Sequence, residues 1–94
     1  MTNRELVLNY YPNADVKQHN KVYFVYIRKW TLAMYIGNTA CYVPDKESIA
    51  DNIIGKFSKS YSKAWESTRD IIIKRLQSGE TKEYIRDNPL FIYN

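Results

Sequence analysis

The sequence predicts a small α+β domain: an antiparallel four- to five-stranded meander, one long amphipathic helix packed on one sheet face, a short helical turn and a terminal strand. Three observations carry this. Runs rich in β-branched and aromatic residues, separated by short turn signals, fill the first half. From Ala50 to Leu76 apolar residues recur at helical spacing without losing phase. The 94 residues include only three Gly and three Pro, so most of the chain belongs in regular elements of one domain, residues 1–94.

Leu6, Leu8 and Tyr10 alternate with Val7, Asn9 and Tyr11, which reads as a first strand. Pro12-Asn13-Ala14-Asp15 stacks turn formers, and the polar Lys17-Gln18-His19-Asn20 extends the loop. Lys21 to Lys29 is the strongest strand pattern, with Val22, Phe24 and Tyr26 on one side and Tyr23, Val25 and Ile27 on the other. Apolar on both faces, it is expected at the centre of the sheet. Thr31 to Ile36 follows as a third strand, Gly37-Asn38 is a hairpin turn, and Thr39 to Val43 returns as a fourth. Connections this short exclude parallel crossovers, hence a meander.

Pro44-Asp45 closes the sheet, with Asp45 an N-cap and Ser48-Ile49-Ala50-Asp51 a second capping signal. Ala50, Ile53, Ile54, Phe57, Tyr61, Ala64, Trp65, Thr68, Ile71, Ile72 and Leu76 then fall on one helical stripe. Unbroken from Lys46 to Gln77, the helix would run roughly 48 Å. That exceeds the breadth of so small a domain, so the helix bends between Gly55 and Ser60 or packs its free end on another copy or a partner. One long helix, bent or straight, is the expectation. Ser78-Gly79 stops it, Thr81 to Asp87 forms a short helical turn ended by Asn88-Pro89, and Leu90 to Tyr93 is an edge strand.

Composition narrows the function. Lys and Arg outnumber Asp and Glu by 14 to 10, a net charge of +4, which fits an acidic partner. Nine Tyr, two Trp and three Phe are more aromatics than a core of this size needs. Cys41 is the only cysteine, so no internal disulfide forms and a reducing, cytoplasmic location is expected. The acid in Met1-Thr2-Asn3-Arg4-Glu5 is unlike a signal peptide, and the longest apolar run, Val22 to Ile27, is far too short to span a bilayer. No membrane association is expected.

Catalytic patterns are missing. One His and one Cys do not make a zinc site, and no carboxylates have calcium-loop spacing. Cys41 lies in a strand pattern, where a small buried hydrophobe is the simpler role than a nucleophile. His19, in a polar loop, has no paired acid close by in sequence. Gly37, Gly55 and Gly79 are too dispersed to cradle a phosphate. Glu47 with Asp51, and Glu66 with Asp70, share helix faces at one-turn spacing, which is simpler as a solvated surface than as an acid–base pair. No cofactor, metal or enzymatic activity is expected.

Binding patterns are present. Lys56, Lys59 and Lys63 recur at i, i+3 and i+7 with Lys74 beyond, opposite Phe57, Tyr61 and Trp65. The plain reading is an amphipathic helix with lysines to water; the functional one is a phosphate-contacting stripe, aided by Ser58, Ser60 and Ser62. Arg28-Lys29-Trp30 forms a cation–aromatic cluster near Tyr26 and Tyr35, on a sheet face that can stack unpaired bases. Lys21 to Ile27 loosely resembles the aromatic strand of an RNA-recognition motif. That fold needs a helix where Pro12 to Asn20 is too short and polar, and the motif's glycine is missing, so it is excluded.

The expectation is a non-enzymatic nucleic-acid-binding protein, RNA or single strands before duplex, acting through Arg28, Lys29, Trp30, Lys56, Lys59, Lys63 and Lys74. The alternative is a protein-binding inhibitor or adaptor, of phage or mobile-element type given the AT-rich codon bias that Ile, Asn, Lys and Tyr imply. It would dock on an acidic surface of a host or defence protein through Tyr26, Trp30 and Tyr35 and modulate that protein's activity. A homodimer through the long helix fits either reading.

Overall fold

The computed structural model describes residues 1–28, 30–44 and 52–92. Their order is α1 (Asn3–Tyr10), β1 (Ala14–His19), β2 (Val22–Ile27), β3 (Trp30–Ile36), β4 (Thr39–Pro44), α2 (Tyr61–Gln77) and α3 (Lys82–Asp87). The fold is α+β. Its four strands form two antiparallel pairs, β1–β2 and β3–β4, where a single meander is expected from sequence.

The first correction is at the N-terminus. Leu6 to Tyr11 is not a strand, because Thr2 and Glu5 form a capping signal: the Thr2 hydroxyl accepts from the Glu5 N–H at 3.1 Å and starts α1. Val7, Tyr10 and Tyr11 are the side chains that bury, at i, i+3 and i+4, while the alternating Leu6 and Leu8 are only half-buried. Helical spacing outweighed the alternation.

The second correction is the stretch from Pro12 to Asn20. Pro12 and Asn13 do turn, but Ala14–His19 is a strand whose partners run from Ala14 opposite Ile27 to His19 opposite Val22. Asn20 and Lys21 close this hairpin with positive φ at both positions, +49° and +66°, as a two-residue turn of the tight primed kind requires. Lys21 carries a Cβ in a conformation that suits glycine. Lys21→Gly is therefore expected to stabilise by about 0.5–1 kcal/mol and raise the melting temperature by about 3–6 °C in a thermal melt.

The third correction concerns the helix. Its expected start at Lys46 and the caps at Asp45 and Ser48 lie outside the described residues, but residues 53–60 are not helical; α2 begins at Tyr61, where the Ser60 hydroxyl accepts from the Lys63 N–H at 3.3 Å. The chain before it lies along the free edge of β2. Tyr23 and Ser58 exchange two backbone hydrogen bonds, at 2.7 and 2.9 Å, the Ile54 N–H donates to the Val25 carbonyl, and Tyr26 bridges Ile53. β2 thus has β1 on one edge and residues 53–58 on the other. Sheet hydrogen bonds from β2, with Gly55 and the serines lowering helix propensity, outweigh the amphipathic pattern.

The odd-numbered face of β2 carries the core. Val25, with the partly buried Tyr23, Ile27 and Val16, packs on Ala64, Trp65 and Ile72 of α2, Val7 and Tyr10 of α1, and Ile85 of α3. The buried side of α2 also takes Thr68 and Arg75, whereas Leu76, expected on the apolar stripe, is 39% exposed. Arg75 is buried because Glu80 meets its guanidinium side-on, with Nε and Nη2 at 2.8–3.1 Å from the carboxylate oxygens. Gly79, at φ +98°, lets the Glu80 N–H turn back to the Arg75 carbonyl and ends the helix. α3 follows, capped by Thr81 and tied down by the Tyr11 hydroxyl, which donates to the Ile85 carbonyl at 2.6 Å. Residues 90–92 are not a strand; the Ile92 N–H donates to the Ile53 carbonyl, Phe91 packs against the core, and Tyr93 is outside the described residues.

The β3–β4 hairpin differs from the rest. Gly37, at φ +62°, opens its two-residue turn, and Ile36 faces Thr39 across it. Met34, Tyr35, Ile36 and Tyr42 are all more than half exposed. No helix among those described packs broadly on it.

Candidate nucleic-acid interface

Because side chains alternate along a strand, the even-numbered ones of β2 form a second face, opposite the one that packs on the helices. Register places Asp15 beside Tyr26, Lys17 beside Phe24 and His19 beside Val22. Phe57 joins from the third edge: its ring meets Phe24 edge-on at 5.6 Å, and Tyr26 lies 6.3 Å from Phe24 on the other side. Phe24 is buried at the centre of this trio, Tyr26 is half-buried, and Phe57 is 44% exposed.

Positive charge collects on the same segments. Residues 14–28 and 52–60 hold five cations, Lys17, Lys21, Arg28, Lys56 and Lys59, against one acid, Asp15, a net +4 that equals the charge of the whole chain. Arg28 is ion-paired with Asp15. Tyr26, and then Asp15, hold its guanidinium above its ordinary range, so it stays charged at any physiological pH. Arg28 and Arg4 also line a cleft with Asp15, Asn13 and Leu8, extending the basic surface past the end of β2.

Lys56 and Lys63 line a shallow groove between residues 56–58 and α2, shared with Ser58, Ser67, Glu66 and Asp70. On the far side of Lys56 a second groove runs to Lys74 and Gln77. At about 220 and 280 Å³ both fall below the usual size of a small-molecule pocket. Among the described residues no ion pair joins Lys56, Lys59, Lys63 or Lys74 to an acid.

The sequence-expected site residues therefore separate into groups. Arg28 and Tyr26 lie on the outer layer, Lys56 lines both grooves against α2 with Lys63 and Lys74, and Lys59 lies on the extended segment that leads to α2. Lys63 and Lys74 sit on α2 beside Glu66 and Asp70, so the expected single helical stripe of lysines does not exist: two of its members are on an extended segment. Tyr35 lies on the second hairpin. Lys29 is outside the described residues, as is the side chain of Trp30. Two contributors escaped sequence reasoning. Helical phase places Phe57 in the core and the turn formers place Lys17 in a loop; alternation of Asp15, Lys17 and His19 with Ala14 and Val16 is the signal available for the latter.

No three of His, Cys, Asp and Glu gather as metal ligands among the described residues, and no helix there is long and apolar enough to cross a membrane. No known protein family, curated protein or solved structure matches this chain.

Proposed function

We propose that this is a non-enzymatic nucleic-acid-binding protein that takes single strands, RNA ahead of DNA, on the outer face of β1, β2 and residues 53–58. The observation that carries the reading is that the two segments that display Tyr26 and Phe57, residues 14–28 and 52–60, hold five cations against one acid, a net +4 equal to that of the whole chain. Exposed rings stack unpaired bases, and lysines around them neutralise phosphates. Duplex is the poorer ligand, because its bases are already stacked and closed to these rings.

The two kinds of contact respond differently to salt, which provides the test. In fluorescence anisotropy with a labelled single-stranded RNA, Lys17, Lys56 and Lys59 changed together to Glu are expected to lower affinity at least about 100-fold and flatten the salt dependence by about two in log–log slope. Phe57→Ala is expected to weaken binding about 5- to 100-fold with the slope unchanged. Wild-type protein that binds no single strand at low salt defeats the proposal.

The second reading is a protein-binding inhibitor or adaptor acting through Tyr26, Trp30 and Tyr35. One observation favours it: Tyr35 is 66% exposed, a large aromatic of the kind that anchors protein interfaces. It predicts a stoichiometric complex that survives nuclease and is lost in Tyr35→Ala.

A further inference from the structure

From Trp30 to Pro44, the whole of β3, its turn and β4, the chain has no Asp, Glu, Lys, Arg or His. All 24 Asp, Glu, Lys and Arg residues lie elsewhere. Proteins ordinarily guard exposed strand edges with charges, above all lysine, or with proline or a bulge. Here β3 has such protection: its register slips between Leu32 and Met34, leaving an extra residue that twists that edge. β4 is regular until Pro44, and among the described residues nothing pairs with its outer edge.

Hydrogen-bond geometry identifies which groups of β4 are free. The two-residue turn directs the Thr39 N–H inward to the Ile36 carbonyl, so along β4 the backbone of Thr39, Cys41 and Val43 faces β3, and that of Ala40 and Tyr42 faces outward. Pro44 is next in the outward series and has no N–H to offer. The free edge is thus two residues long and symmetric about Cys41.

We infer that β4 pairs with β4 of a second copy of this chain, antiparallel about a two-fold axis at Cys41, making a four-stranded sheet β3–β4–β4–β3. Ala40 of each copy exchanges two backbone hydrogen bonds with Tyr42 of the other, and the two Cys41 residues face each other as a close, non-hydrogen-bonded pair. Charge argues for a second copy as the occupant. Two molecules of net charge +4 repel, and this uncharged hairpin is the stretch where they meet without setting like charges together. The faces suit it as well. Cys41, Met34 and Ile36 share one side of the hairpin, and Tyr35, Ala40 and Tyr42 the other, so each face doubles into a continuous apolar strip. This contact is separate from the nucleic-acid face and does not depend on it.

The interface is small, below roughly 1,200 Å² in total, so the dimer is expected to be weak. Sedimentation equilibrium of the full chain under reducing conditions, at 10 µM to 1 mM, is expected to show a monomer–dimer equilibrium. Ala40→Pro removes an outward N–H while leaving the inward bonds to β3 in place, and is expected to weaken association at least 10-fold with an unchanged circular dichroism spectrum. Mild oxidation is expected to link wild-type protein through Cys41, and to link Cys41→Ser/Ser78→Cys far less. Wild type that stays monomeric at 1 mM overturns the inference and leaves the hairpin to a different protein. So does a folded Ala40→Pro variant that still dimerises, or equal cross-linking at Ser78→Cys.

Discussion

Gly55→Ala is expected to be the most damaging single-methyl addition in the chain. A Cβ at residue 55 would lie inside the contact distance of the Thr68 hydroxyl, with the Ser67 hydroxyl 3.5 Å away. Thr68 has little room to yield: it is 1% exposed, and its hydroxyl donates to the Ala64 carbonyl at 2.9 Å. Nor does the backbone of residue 55, since the neighbouring Ile54 N–H is bonded to Val25. Gly55 is therefore where the third edge of the sheet touches α2, and the glycine is there for close approach. Overpacking a site held on both sides costs about 3 kcal/mol or more, a fall in melting temperature on the order of 15 °C. Thr68→Ala in the same chain removes the obstructing hydroxyl. The double variant is expected to be no less stable than Thr68→Ala alone by more than about 1 kcal/mol, whereas independent costs would simply add. Denaturant unfolding of the four proteins gives the coupling directly.

Removing the two partners of the Arg75–Glu80 pair is expected to have unequal effects, with the more exposed residue mattering more. The Arg75 side chain is 7% exposed and that of Glu80 29%. Arg75→Met keeps most of the volume and leaves Glu80 facing water. Glu80→Ala strands a buried guanidinium, the costly way to break such a pair. Glu80→Ala is therefore expected to unfold at lower urea than Arg75→Met. The pair also sets an acid limit. Hydrogen bonds from Arg75 hold the Glu80 carboxyl below the ordinary glutamate range, so the unfolded chain takes the proton more readily than the folded one. The stabilisation is complete above the ordinary glutamate range and disappears as pH falls through the lowered folded value. Glu80→Gln is expected to lose stability at neutral pH and to lack that part of the acid-induced decline. Tyr11 limits the other end: burial raises its phenol, with Arg75 opposing, and its hydroxyl must keep its proton to donate to Ile85. Its share of stability is present below the ordinary tyrosine range and is lost as pH rises through the raised value.

The parts of the fold legible in sequence were those where local pattern and tertiary context agree. β2, β3, β4, the Gly37-Asn38 turn, the Ser78-Gly79 stop and α3 all carry their own signals. Two kinds of element were not legible. At α1, alternation and helical spacing coexist in Leu6 to Tyr11, and the deciding signal, Thr2 with Glu5, lies outside the apolar run. At residues 52–60 the helical stripe is real as a pattern, but Ile53, Ile54 and Phe57 are used by a sheet edge instead, which periodicity cannot distinguish when β2 offers free hydrogen bonds. The candidate site shares that history. Arg28, Tyr26, Lys56 and Lys59 could be named as cations and aromatics from composition and spacing. The adjacency of the segments that carry them could not, because it depends on residues 53–58 lying beside β2.

An amide NMR titration tests those segments as a binding face most directly. Adding an unlabelled ten-nucleotide single-stranded RNA at low salt is expected to shift the amides of residues 14–28 and 53–59, with Phe57 and Tyr26 among the largest, and to leave α1 and α3 in place. Spectra that do not change at millimolar RNA, or shifts confined to residues 30–44, contradict the assignment of the outer β1–β2 layer as the binding face.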